Sequence, residues 1–207
     1  MINNMNIREK FSAGLLCMGL ILAILPLSGN RSFIIRPKVL LPEVLDEKSY
    51  FTVDQVARFI VSEDSTIQII DLRSPEEFRR MNIPGSINSP YTDIFKSDPG
   101  SLFSNEKIRS ILYSNGDFDS NSALVIAMGL NYKNVFVMRG GMNEWFNKVM
   151  NSSFTGEKIS ARENAIFETR TRARNMFTGL NSLPDSLKLK FIEGKRSAAK
   201  KLDGGCE

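Results

Sequence analysis

An α/β fold with a mostly parallel central sheet flanked by helices is predicted by three observations. Short apolar runs rich in β-branched residues, IQIIDLR at 67–73 and NVFVM at 134–138, read as buried strands. Between them lie segments with helix start signals and a helical spacing of apolar residues. The two kinds of segment alternate through residues 50–150, and strands separated by helices pair in parallel through crossover connections. With 207 residues, 42% hydrophobic and 24% charged, the chain has the size and composition of one folded domain with flanking segments.

The first element is the uncharged run FSAGLLCMGLILAILPLSG, residues 11–29, preceded by Arg8 and Lys10. A basic start followed by an apolar stretch ending in small residues reads as an export signal, and the run is about long enough to cross a bilayer if retained. Gly29 suits the residue before a cleavage site, whereas bulky Leu27 two positions earlier does not, so cleavage stays open. Cys17 follows Leu15 and Leu16 and makes a poor lipid-acceptor site. Arg31, Arg36 and Lys38 lie beyond the run, so charge does not settle its orientation. Residues 1–30 are therefore expected to be a signal peptide or membrane anchor, and the protein to be exported, periplasmic or anchored in an inner membrane. Residues 31–47, with Pro37, Pro42 and scattered charge, read as a linker.

From residue 48 the elements follow closely. Thr52 caps a helix whose Val56, Phe59 and Ile60 share a face, and the strand 67–73 follows it. Ser74, Pro75 and two glutamates in the first turn then start a second helix, since acidic side chains and an N1 proline suit its positive end. IPGSINSP reads as a turn and a short strand, SNEKIRS (104–110) as helix, ILY (111–113) as strand and SNSALVIAMGLNY as helix with Asp119 or Ser120 as cap. NVFVM is the last strand, and GGMNEWFNKVM a turn into a closing helix.

The segment IIDLRSPEEFRRMNIPGSINSP followed by VFVMRGGMNEWF resembles the rhodanese-like family across about residues 48–150. Asp71, Arg73, Glu77, Phe78, Ile83, Gly85 and Asn88 fall on its first signature, and Gly140, Gly141 and Trp145 on its last. The resemblance implies a rhodanese-like fold in which the loop after ILY is the active-site loop: Ser114, Asn115, Gly116, Asp117, Phe118, Asp119 and Ser120. The family places there a cysteine cradled by backbone N–H groups, which lower its pKa and hold a persulfide or an anionic donor. This chain has Ser114 at that position, Asp119 and Ser120 where the family or related phosphatases carry arginine, and Asn82 where a histidine is common. A serine hydroxyl needs a base, and the chain contains no histidine. Asp117 and Asp119 would also repel an anionic donor. No catalytic residue is therefore assigned in the loop. Asp71 and Arg73 read as a strand-end ion pair supporting it, and Trp145 as core or pocket wall rather than a base-stacking platform.

Absences narrow the chemistry further. Without histidine, and with Cys17 and Cys206 near opposite ends, no metal site, redox pair or disulfide framework is expected within the chain, nor any cofactor. No nucleic-acid partner is read from the sequence. Residues 1–150 hold 16 Lys+Arg and 16 Asp+Glu, and residues 151–207 hold 11 and 7, so the net charge of +4 resides in the tail. Such a tail suits an anionic membrane face or an acidic protein partner, or is simply solvated.

Within residues 151–207, Ser160 and Glu163 form a capping box ahead of a C-terminal amphipathic helix with Ile166, Ala173, Phe177 and Leu180 on one side. That helix can dock on the domain, meet a partner or lie on a membrane. EGKRSAAKKLDGGCE, residues 193–207, reads as flexible. Its GGC ending, together with YSNG in the loop, resembles exported rhodanese-like proteins of Bacteroidetes-type bacteria. Cys206 is a candidate sulfur-carrying thiol, an intermolecular disulfide partner, a soft-metal ligand or an incidental surface cysteine. Three functions follow: a degenerate rhodanese-like module that binds a partner or small ligand, a sulfur carrier or transferase using Cys206, and a structural scaffold.

Overall fold

The computed structural model describes residues 6–24, 34–96, 100–153 and 160–203. The chain divides into two units, Met1–Ser32 and Phe33–Glu207. In the first, α1 (Ile7–Ile24) carries Arg8, Glu9 and Lys10 in its first turn and an uncharged stretch after them. Among the described residues no helix is long and apolar enough to cross a membrane. Residues 25–29 of the apolar run lie outside the described residues.

The second unit is built on five short strands: β1 (Tyr50–Phe51), β2 (Ile67–Asp71), β3 (Ser86–Asn88), β4 (Arg109–Tyr113) and β5 (Val135–Met138). They form one sheet in the order β1-β5-β4-β2-β3, every pairing parallel. Alternation along the strands sends side chains to two faces. Ile69, Ile111, Tyr113 and Met138 point into one core with α3 (Val53–Val61). Ile70, Leu112, Val135 and Val137 point into the other with α6 (Asp117–Gly129). The fold is an α/β arrangement, a parallel sheet flanked by helices.

Three helix starts carry their signals as side-chain contacts. Thr52 Oγ1 accepts from Gln55 N while Gln55 Oε1 accepts from Thr52 N, a reciprocal cap at the start of α3. Ser74 and Glu77 repeat it at α4 (Pro75–Arg80), and Ser160 and Glu163 at α8 (Ala161–Asn181). α5 (Gly100–Phe103) is a single turn. α7 (Gly141–Trp145) continues into a π-helical turn over Phe146–Met150.

Four stretches differ from the sequence reading. α6 starts at Asp117 with Gly116 at its N-cap and no side-chain cap, so Asp119 and Ser120, expected to cap it, lie inside its first turn. Residues 104–108 are turn rather than helix, because Asn105 Oδ1 accepts from Lys107 N and the strand β4 already starts at Arg109, paired with Ile67. The stretch read as a linker contains α2 (Pro37–Leu45), with Pro37 at the start where a missing N–H costs nothing. Pro42 forfeits an interior hydrogen bond, but Leu40 and Val44, four apart, are buried against the α6 side of the sheet. The stretch from residue 193 is helical as far as Asp203, the end of α9 (Asp185–Asp203), its alanines, lysines and leucine being good helix formers.

α8 docks on the domain. Ala173, Phe177 and Leu180 are buried, and Phe177 packs on Trp145 and edge-on to Phe146. Arg170 forms a two-pronged ion pair with Asp54 at 2.6 and 2.7 Å, and Arg174 donates to the carbonyls of Val149 and Ser152. Asn181 makes two hydrogen bonds to the backbone of Asn82, at 3.0 and 2.9 Å.

Candidate functional site

The C-terminal ends of β2 and β4 meet in a buried polar cluster. Arg73 grips Asp71 through Nε and Nη2, the shortest contact being 2.6 Å, and both side chains are almost wholly buried. Tyr113, last residue of β4, donates its hydroxyl to Asp71 Oδ2 at 2.6 Å and accepts from the Ile83 N–H at 3.2 Å. Arg73 also donates to the Met81 carbonyl, and Asn88 Nδ2 to the carbonyls of Asp71 and Arg73. Burial and the neighbouring Asp71 carboxylate hold the Tyr113 phenol well above its ordinary pKa. Burial works against the Arg73 charge, but its hydrogen bonds and attraction to Asp71 outweigh that and raise its pKa. Asp71 and Arg73 thus form a buried strand-end ion pair bonded to Tyr113, the residue before the loop.

The loop itself is brief. Ser114 follows β4 directly and is 3% exposed, Asn115 and Gly116 turn the chain, and Asp117 begins α6. The N-terminal turn of α7 clamps it from the side: Met142 N donates to Ser114 O at 2.9 Å and Asn143 N to Asn115 O at 3.0 Å. Gly141 has φ of +55°, and a Cβ there would lie 2.4 Å from Ser114 O. Only glycine permits both this backbone and this approach. Gly140 N donates to Asp117 Oδ1 at 2.6 Å, which ties the paired glycines to the first turn of α6.

Ser114 Oγ donates to Asp119 Oδ2 at 3.0 Å, so the carboxylate lies beside the hydroxyl that the loop surrounds. Ser120 Oγ is turned back to the Gly116 carbonyl, and Phe118 stands 83% exposed at the rim. Asn115 Nδ2 donates to Glu77 Oε1 at 2.7 Å, joining loop to α4. Hydrogen bonds from Asn115 and Ser74 hold the Glu77 carboxyl below its usual range. All seven loop residues are therefore together. Cys206 lies outside the described residues.

What this arrangement can do chemically is limited by its groups. A carboxylate is far too weak a base to ionise a serine hydroxyl, and it accepts a hydrogen bond that holds the proton in place. Among the described residues no group of three or more Cys, Asp and Glu side chains could hold a metal ion. The sequence reading missed the Asn115–Glu77 tie and the central place of Tyr113. The signal for the latter is the phenol itself, since a tyrosine buried at a strand end needs a polar partner.

Residues 52–148 match the family model of the rhodanese-like domain. The chain is 27% identical over 105 residues to the thiosulfate:glutathione sulfurtransferase of Saccharomyces cerevisiae, covering 46% of this chain and 76% of that one. Among solved structures it is similar to a Rhodopseudomonas palustris protein of unknown function described as a possible tyrosine phosphatase. That likeness has a TM-score of 0.45 and 23% identity, and covers 58% of this chain and 96% of that one. The rhodanese-like domain of an Anabaena protein gives a TM-score of 0.42 at 14% identity, covering 55% and 92%. The matched region thus has a sulfurtransferase among its distant relatives. The matched region ends within the π-helical turn, so α8, which covers that turn, lies beyond it.

Proposed function

We propose that the protein is a catalytically degenerate rhodanese-like module, exported and membrane-associated through residues 11–29, that serves sulfur handling by binding a partner or small ligand at the 114–120 loop. One observation carries the reading: Ser114, at the position of the family's cysteine, is hydrogen-bonded to Asp119. Oxygen at that place forms no persulfide-like carrier, and the aspartate puts negative charge where thiosulfate would sit. The intact surroundings support a binding role. The buried Asp71–Arg73–Tyr113 cluster and the α7 clamp keep the loop shaped without a nucleophile to position. The YSNG loop and GGC ending support the exported, Bacteroidetes-type assignment.

The test is thiocyanate formation from thiosulfate and cyanide. The wild-type protein is expected to form none, Ser114→Cys to gain little, and Ser114→Cys combined with Asp119→Arg to gain clearly more, because the double change restores both the thiolate and a cation beside it. Wild-type turnover would overturn the reading. If that turnover, or a 32 Da adduct after exposure to a persulfide donor, vanished on Cys206→Ser, the sulfur carrier would replace it.

A further inference from the structure

The outward face of α2 carries the largest cluster of exposed apolar side chains in the described part of the second unit. Leu40 and Val44 are 6% and 7% exposed and face the domain. On the other side of the same helix, Val39 is 53%, Leu41 61% and Leu45 69% exposed, and Ile34 just before it is 70% exposed. At 100° per residue, Leu41, Leu45, Lys38, Pro42 and Val39 span one continuous face opposite Leu40 and Val44. A helix that buries one apolar side in its own domain and still shows leucines to solvent has a second apolar surface to cover.

We infer that this face of α2 lies on a lipid bilayer as an interfacial helix. The inference rests on the membrane-associated reading above and adds a second contact to it. The charge pattern favours lipid. Arg36 and Lys38 are exposed beside the apolar residues, and Arg31 lies five residues earlier, the mixture that anionic headgroups and the upper acyl region accept together. Glu43 is the one exposed carboxylate within α2, and it lies at the flank of the outward face, nearer the buried side. In the sequence only residues 25–33 separate the apolar helix α1 from Ile34.

The experiment uses the full chain with Cys17→Ser and Cys206→Ser, labelled with an environment-sensitive fluorophore at Leu41→Cys or, as control, at Glu168→Cys. Glu168 is exposed on α8, which packs with α3 on the opposite face of the sheet. With vesicles of phosphatidylcholine and phosphatidylglycerol, the label at 41 is expected to shift to the blue and to lose most of its emission to doxyl-labelled lipids, while the label at 168 keeps its own. Val39→Ser, Leu41→Ser and Leu45→Ser together are expected to weaken vesicle partitioning about tenfold or more, because three apolar side chains no longer leave water. If the chain sediments with vesicles but the label at 41 is unquenched, the α2 contact is overturned and membrane association through residues 11–29 stands. If the chain does not sediment, both fall. A label at 41 already blue-shifted without vesicles would assign the face to protein and overturn the lipid contact.

Discussion

Tyr113 shows how much one hydroxyl holds at this site. It is fully buried, donates a hydrogen bond to Asp71 and accepts one from the Ile83 N–H, so Tyr113→Phe strands the Ile83 N–H and removes one of the bonds that stabilise a buried carboxylate. A loss of about 1–3 kcal/mol of stability in denaturant titration is expected. Arg73→Ala should cost more, roughly 3–5 kcal/mol, because Asp71 would be left charged and unpaired in the interior. The phenol also makes the fold sensitive to alkali. Its pKa is raised in the folded state, so above about pH 10 the unfolded chain loses a proton that the folded chain keeps. Stability then falls by about 1.4 kcal/mol per pH unit in that window, and the fall is absent in Tyr113→Phe. A wild-type stability that stays flat between pH 10 and 11.5 would contradict the burial of that hydroxyl.

At the scale of elements, α8 is the clearest case of a segment that completes the domain. Phe177 is 2% exposed and wedges between Trp145 and Phe146, so Phe177→Ala should cost about 3–5 kcal/mol through transfer and cavity terms together. Arg170→Ala breaks a well-formed but partly solvated ion pair and should cost no more than about 1 kcal/mol. Trp145 is the chain's one tryptophan, so its emission reports directly on whether α8 stays docked. Equal effects of the two substitutions would mean that α8 is held by charge rather than by packing. The helix itself was legible: Ser160 and Glu163 mark its start and Ala173, Phe177 and Leu180 its buried side. Its destination was not, since an apolar face fits a domain, a partner or a membrane equally well until the Trp145 surface is seen uncovered. α2 was hidden for a related reason. Pro42 reads as a helix breaker, and its tolerance depends on Leu40 and Val44 finding a tertiary surface that no local pattern reveals.

For the molecule as a whole, the strands were legible because both sheet faces are buried, which makes VFVM apolar throughout and IQIID apolar at three of its five positions. The loop was legible from its flanking signatures, whereas the Ser114–Asp119 contact depends on which way two side chains turn. The same division decides what folds alone. The region matched to the family, 52–148, omits α2 on one face of the sheet and α8 on the other, leaving Ala123, Leu124 and Trp145 short of the partners that bury them. A fragment of residues 34–203 is therefore expected to unfold in a single cooperative transition with blue-shifted Trp145 emission. A fragment of residues 48–150 should bind a hydrophobic dye and melt without a sharp transition, as a chain does when its secondary structure forms but its core stays open. Sharp, matching transitions in both fragments would show that α2 and α8 are appendages, and would remove the structural reason for treating 34–203 as the folding unit.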